Sequence, residues 1–154
     1  MNSLLQLDSQ LCFSLYAASR AMTAAYAPLL APLGVTYPQY LVLLVLWESE
    51  RLSVKDLGGR LQLDSGTLTP LLKKLERQGV VTRTRDDRDA RVVRIGLTSR
   101  WRALERKATR IPRELVCQMG LDLPAIARLR KELNALTHTL RASNAEHPPR
   151  RRTQ

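Results

Sequence analysis

Two thiols, Cys12 and Cys117, are the residues of this chain that could carry covalent chemistry. A thiolate is a nucleophile and can be oxidised to a sulfenic acid, which condenses with a second thiol. Tyr16 follows Cys12 by four residues, so on a helix the two share a face. A helix capped by Asp8 would put Cys12 in its first turns, where the macrodipole favours an anion, whereas a cap at Ser3 would place it further in. The sequence does not choose between these caps. A plainer reading is preferred on the residues alone. In a reducing cytoplasm a permanent disulfide is not expected, and both cysteines act as small buried hydrophobes.

A second group is suited to reading nucleic acid. Ser65, Thr67, Thr69, Lys73, Lys74 and Arg77 fall within one short stretch. Small hydroxyls at a helix start can meet base edges or phosphates, and the cations can neutralise phosphates. Five arginines follow, Arg83, Arg85, Arg88, Arg91 and Arg94, of a kind favoured in a narrow minor groove. Asp86, Asp87 and Asp89 would oppose DNA if they faced it. Asp89 is expected to brace Arg91 by a bidentate contact. The rival reading is a surface ion-pair network of little energetic consequence.

The elements that must position these groups are legible from spacing. Residues 53–61 read as a helix capped by Ser53, 62–65 as a turn, and a second helix runs through Leu68, Leu71, Leu72 and Leu75 to a stop at Gly79. Pro70 falls inside that second helix if Asp64 is the cap and at its start if Thr69 is. Residues 80–85 and 92–97 read as strands of a basic hairpin. Together these parts make a winged helix-turn-helix, spanning about residues 37–98. Its supporting helix, about 37–48, is apolar nearly all round and is expected to be buried. Residues 49–52 read as a connection.

On either side lie further helices. Leu4, Leu7, Leu11, Leu15, Ala18, Met22, Ala25 and Leu29 step by three or four residues, with Pro28 and Pro32 disrupting or ending the helix. Trp101, Leu104, Ala108, Ile111 and Leu115 form a stripe after Thr98, with a kink expected at Pro112. Ile126, Leu129, Leu133, Leu136 and Leu140 form the last. Residues 3–33 and 98–142 therefore suggest a helical dimerisation bundle. A two-fold dimer would hold two reading helices roughly 34 to 36 Å apart. The whole is expected to be mainly α with a small β-hairpin wing, one domain over 1–142 and a disordered basic tail over 143–154.

Composition agrees with that assignment. The 154 residues are 44% hydrophobic, which argues against disorder. The formal charge is +11, of which the tail carries only +2, so basicity belongs to the folded part and favours an anionic partner. The chain opens without a basic segment or cleavage site, and its most apolar run, 40–47, is far shorter than the ~20 residues of a membrane span. A soluble, cytoplasmic protein is expected, with no membrane partner. His138 and His147 lie apart and suggest no metal site, and no phosphate-binding glycine loop or other cofactor motif is present.

With these residues in view, the chain resembles the MarR family of winged-helix regulators, and within it the organic hydroperoxide sensors of the OhrR type. The resemblance is carried by residues 12–22 beginning Cys12-Phe13-Ser14-Leu15-Tyr16, by Pro28-Leu29-Leu30, by 33–48 with Thr36-Tyr37-Pro38-Gln39-Tyr40, by 63–76 with Asp64-Ser65-Gly66-Thr67, and by Asp89-Ala90-Arg91 with Leu97-Thr98. It runs from about Leu7 into the last helix. Trp101 stands where the family usually has glycine. The resemblance implies a homodimeric repressor on a palindromic double-stranded DNA operator. It implies that organic hydroperoxides oxidise Cys12, and that Tyr26 and Tyr37, with Tyr16 a further candidate, hydrogen-bond its thiolate. Cys117 matches the second cysteine of the two-cysteine subclass, in which an intersubunit disulfide forms. The alternatives are a MarR-like repressor released by a small phenolic ligand, a thiol peroxidase using both cysteines, and a basic protein-interaction module.

Overall fold

The computed structural model describes residues 3–146. They form two compact units, one ending at Leu115 and the other beginning at Val116. The first opens with two 3₁₀ turns, Ser3–Leu5 and Leu7–Ser9, followed by helix α1, Leu11–Leu30. Neither Ser3 nor Asp8 caps α1. Gln10 holds that position, and its side-chain amide turns back to donate to the carbonyls of Leu4, at 2.6 Å, and Gln6, at 3.3 Å. The leucine spacing misled because 3₁₀ turns also repeat every three residues. Pro28 lies inside α1 without ending it. A 3₁₀ turn, Ala31–Leu33, contains Pro32 and closes on Gly34 at φ 65°.

Helix α2, Tyr37–Glu48, starts with a reciprocal capping box between Thr36 and Gln39. Tyr40, Val42, Leu43, Val45 and Leu46 are all buried, as expected of a helix apolar on every side. Residues 49–52 are not simply a connection. Arg51–Ser53 is a strand, β1, antiparallel to β3 (Val93–Leu97), with Leu52 opposite Ile95. Strand β2, Val81–Arg85, pairs with the other edge of β3, giving the order β1-β3-β2.

Helix α3, Val54–Leu61, is capped by Ser53, whose hydroxyl oxygen accepts from the Asp56 N–H at 3.0 Å. Gln62 then takes a left-handed conformation at φ 58°. Gly58 allows the turn to close, since a Cβ there would lie 2.9 Å from the Leu63 carbonyl oxygen. Helix α4, Ser65–Arg77, buries Leu68, Leu72 and Leu75.

After the wing the sequence suggested one kinked helix, but three pieces form: α5 (Ser99–Arg102), α6 (Glu105–Ala108) and α7 (Arg110–Met119). The first break arises because the Trp101 carbonyl is taken by the Leu104 N–H at 3.2 Å and by Trp47 Nε1–H at 3.1 Å. The second lies at Thr109, whose hydroxyl donates to the Arg106 carbonyl at 2.7 Å. It falls one turn before Pro112, whose ring crowds the carbonyl four residues earlier. Trp101 itself is buried in the core, so the departure from glycine is filled by packing.

In the second unit Gly120 turns the chain at φ 64°. Helix α8, Leu123–Glu146, begins where the Asp122 carboxylate accepts from the Ala125 N–H at 2.7 Å. It continues through 143–146, which the sequence reading gave to the tail. Beyond Pro124 in its first turn no glycine or proline occurs before Pro148, and Ala142, Ala145 and Glu146 favour helix. Residues 147–154, with His147 and the remaining tail, lie outside the described residues. Among the described residues no single helix is long and apolar enough to cross a membrane.

Candidate nucleic-acid interface and thiol site

Helix α4 is built to present one face. Its cap is Asp64, whose carboxylate accepts from the Thr67 N–H at 2.9 Å and the Thr67 hydroxyl at 3.0 Å. These contacts, the backbone N–H first, hold the Asp64 carboxyl below the usual aspartate range. Asp64 as cap also places Pro70 inside the helix, six residues along. The buried leucines leave Ser65, Thr67, Lys73, Lys74 and Arg77 exposed, with Thr69 half-buried. Thr67 has committed its hydroxyl proton to the cap, so it offers a reader only lone pairs.

The wing is ordered by Asp86. Its carboxylate accepts from Arg94 Nε at 2.5 Å and from the N–H groups of Arg88 and Asp89 at 2.9 and 3.2 Å. The Arg94 guanidinium, then the Arg88 N–H, keep its carboxyl below the usual aspartate range. Arg94 is therefore held inside the hairpin. Asp89 does meet Arg91, but not as a fork. One oxygen accepts the Arg91 N–H at 3.0 Å and lies 3.6 Å from Arg91 Nε. That geometry leaves the Arg91 side chain 95% exposed. Arg85 is exposed at the end of β2. Lys55, which the sequence reading passed over, borders a cleft of about 330 Å³ between the start of α3 and the wing, shared with Arg83 and Arg91. Only the strand pairing of β1 beside it could have pointed to Lys55.

Cys12 is the second residue of α1, at the positive end of the helix dipole. Both cysteines are free and exposed, which overturns the reading of buried thiols. The stripe that would cover Cys12 in a core is absent from its side of α1. Tyr16, one turn on, is 57% exposed and accepts a 2.9 Å hydrogen bond from the Arg20 guanidinium, which also lies 5.6 Å over its ring.

Tyr26 and Tyr37 come together with their ring centroids 4.7 Å apart, and Tyr40 packs 5.6 Å from Tyr26. Burial raises all three phenols, pushing Tyr40 up to about 12, with neighbouring phenols adding to the effect on Tyr26 and Tyr40. They stay neutral O–H donors at ordinary pH. Cys12 is not among them. Tyr26 is fourteen residues further along the same helix, about 21 Å at 1.5 Å per residue. Cys117 lies in the last turn of α7, in the second unit. Sequence reasoning also missed Gln39, hidden inside a capping box that it recognised only as part of a longer match.

A capped reading helix preceded by a shorter helix and followed by a basic hairpin defines a winged helix-turn-helix protein. Comparison with known proteins makes this specific. The MarR family model matches residues 35–93. The chain is 50% identical over 143 residues to the organic hydroperoxide resistance transcriptional regulator of Bacillus subtilis (strain 168), covering 91% of this chain and 95% of that one. It is 51% identical over 149 residues to the HTH-type transcriptional regulator TtmR of Methylorubrum extorquens (strain PA1), covering 92% and 74%. The structure of reduced AbfR bound to DNA, from Staphylococcus epidermidis, matches with a TM-score of 0.73 at 36% identity, covering 87% of this chain and 94% of that one. The chain belongs to the MarR family.

Proposed function

We propose that this chain is a homodimeric transcriptional repressor, not an enzyme, whose reduced form holds a palindromic DNA operator and releases it when an organic hydroperoxide oxidises Cys12. The observation that carries this reading is the separation along α1. A thiol about 21 Å from Tyr26 on one straight helix cannot reach it. Antiparallel pairing of α1 with a second copy would set Cys12 of the partner subunit beside Tyr26 and Tyr37. Exposed Leu11 and Met22 on α1, and Leu129, Leu133 and Leu140 on α8, are apolar surface for such a pairing.

The chemistry follows from the groups. Phenol O–H donors stabilise the thiolate. Its sulfur attacks the terminal peroxide oxygen, an S–O bond forms and the O–O bond breaks. The alkoxide leaves and takes a proton to become an alcohol, so sulfur is oxidised by two electrons and the peroxide reduced by two. The partner subunit's Cys117 thiol then attacks the sulfenic sulfur, expelling water and closing the intersubunit disulfide. Oxidation thereby biases a two-state element in the reading head.

The test is DNA binding by fluorescence anisotropy before and after cumene hydroperoxide, with non-reducing electrophoresis in parallel. Wild type releases DNA and shows a dimer band. Cys117→Ser loses the band but still releases DNA, more reversibly. Release by Cys12→Ser would refute the sensor role.

One observation favours a second reading, release by a small ligand. A cleft of about 290 Å³ is walled by Leu29, Leu33 and Ile111 and flanked by Lys107 and by Arg110, which is paired with Glu114 at 3.1 Å, a lining that suits a small, largely apolar ligand such as a phenol. Release of DNA by such a compound without oxidant, retained in Cys12→Ser, is its signature.

A further inference from the structure

We propose that Gln39 and Gln78 form the positioning link through which the tyrosine cluster sets the reading helix. The proposal rests on the reading of Cys12 as the sensor. Gln39 is the one polar side chain that is fully buried among the described residues, at 1% exposure. Its amide is used at both ends. Oε1 accepts the Thr36 N–H at 2.8 Å and closes the capping box of α2. Nε2 donates to Gln78 Oε1 at 2.9 Å, across 39 residues of sequence.

Each end of this bridge is placed for a purpose. Gln39 lies in the first turn of α2, between Tyr37 and Tyr40, the two phenols that pack on Tyr26. Any displacement of Tyr37 moves the backbone turn that Gln39 caps. Gln78 is the residue on which α4 ends, its N–H bonded to the Lys74 carbonyl at 3.0 Å. Beyond it Gly79 turns at φ 69°, and its carbonyl accepts the Thr98 hydroxyl at 3.0 Å. Gln78 therefore stands at the junction of reading helix and wing. Leaving the buried Gln39 N–H unpartnered is costly. A shift of the α2 turn therefore either carries Gln78 with it or breaks the bond at a penalty, which ties the two ends energetically.

Thr36 and Tyr37 thus connect to α4 and β2 through one side chain. The bridge does not touch Cys12 in its own chain and takes no part in the oxidation. Its effect is on how strongly oxidation changes DNA affinity.

The experiment measures the ratio of the DNA dissociation constants of oxidised and reduced protein, together with the rate of Cys12 oxidation by cumene hydroperoxide. Gln78 is exposed, so its replacement removes no core side chain, and DNA binding by the reduced protein reports folding despite the cost at Gln39. In Gln78→Leu the affinity ratio falls at least about fivefold while the oxidation rate stays within about twofold. Gln78→Glu keeps an acceptor for Gln39 Nε2 and retains most of the wild-type ratio, even where its added charge weakens both affinities. Cys12→Ser is the control on the underlying reading. If it still releases DNA under peroxide, the sensor assignment fails. If it does not, and Gln78→Leu keeps the wild-type ratio or Gln78→Glu loses it equally, the link is overturned.

Discussion

Leu68, Leu72 and Leu75 on α4 and Leu129, Leu133 and Leu136 on α8 are apolar stripes of nearly identical spacing. The first set keeps 1% or less of its full exposure, whereas Leu129 and Leu133 stand 47% and 37% exposed. Helix periodicity is a statement about one face of one helix and says nothing about what covers it. The α4 stripe is covered by α2, α3 and the sheet of its own chain. Among the described residues nothing covers Leu129, Leu133 and Leu140 on α8 to a comparable degree. The contrast separates a reading head that completes its own core from flanking helices that need another surface.

The sharpest way to break this contrast is to cut both stripes. Leu72→Ala should cost about 3 kcal/mol of unfolding free energy, as expected for a fully buried leucine. Chemical denaturation of the dilute protein reads it directly. Leu133→Ala should change that figure by under about 1 kcal/mol, but should flatten the dependence of stability on protein concentration in the micromolar range, because a weaker dimer adds less by mass action. Equal losses at the two sites would mean that α8 already has its cover within the chain.

A smaller effect concerns assembly alone. Charges introduced at Leu129→Glu and Leu133→Glu should shift sedimentation from dimer to monomer at micromolar concentration. Binding to an isolated half-site should survive, and binding to the full palindrome should weaken strongly. A wild-type protein that sediments as a monomer would remove the contrast entirely.

Within the reading head the same logic separates two arginines of the wing. The Arg91 side chain extends into solvent with a loose 3.6 Å contact to Asp89, and Arg94 is bound to Asp86 at 2.5 Å. Arg91→Ala should weaken DNA binding by about 1–3 kcal/mol and leave the melting temperature unchanged. Arg94→Ala should lower the melting temperature by a few degrees, because the Asp86 turn loses its anchor. The salt slope of log affinity should drop by about one for the first variant if it contacts phosphate.

How much of this could be read beforehand differs along the chain for physical reasons. The helices α2 and α3, the end of α4 and the wing strands were legible to within a residue or two, because local signals agreed. Ser53 caps, Gly79 stops, and the apolar spacing is unbroken. The start of α4 stayed open between Asp64 and Thr69, because Pro70 suits a first helical position as well as the interior it occupies. Strand β1 was not legible. Three residues cannot display an alternation, and its reason for being extended is Ile95, far along the chain. The division of α5, α6 and α7 was equally hidden, because the hydrogen bond that causes the first break comes from Trp47. Exposure of the cysteines failed for the opposite reason. A thiol reads as a small hydrophobe unless one knows that α1 has no cover on that side. The pairing of Tyr26 with Tyr37 came from resemblance and not from spacing. Gln39 was named only inside a matched block, since a capping box does not reveal a second partner.

The smallest expected effects are those of pH, and they also belong to the head rather than to α8. Tyr40 has its folded value raised above the usual 10.0 to about 12 by burial. Its contribution is therefore complete below pH 10 and is lost as pH rises from there toward 12, because the unfolded phenol ionises first. Tyr40→Phe should flatten that alkaline limb. At the acid side Asp64 has its folded value lowered, first by the Thr67 N–H. Its contribution is present above the unfolded value of 3.8 and declines as pH falls through the depressed one. Because Asp64 is exposed to solvent, the loss is small, and it should appear as a shallow fall in melting temperature below pH 4. Asp64→Asn keeps an acceptor for the cap and removes the titration, so its melting curve should be flat where wild type declines. A decline as steep in Asp64→Asn as in wild type would place the acid-sensitive group elsewhere, with Asp86 and its bond to Arg94 the next residue to test.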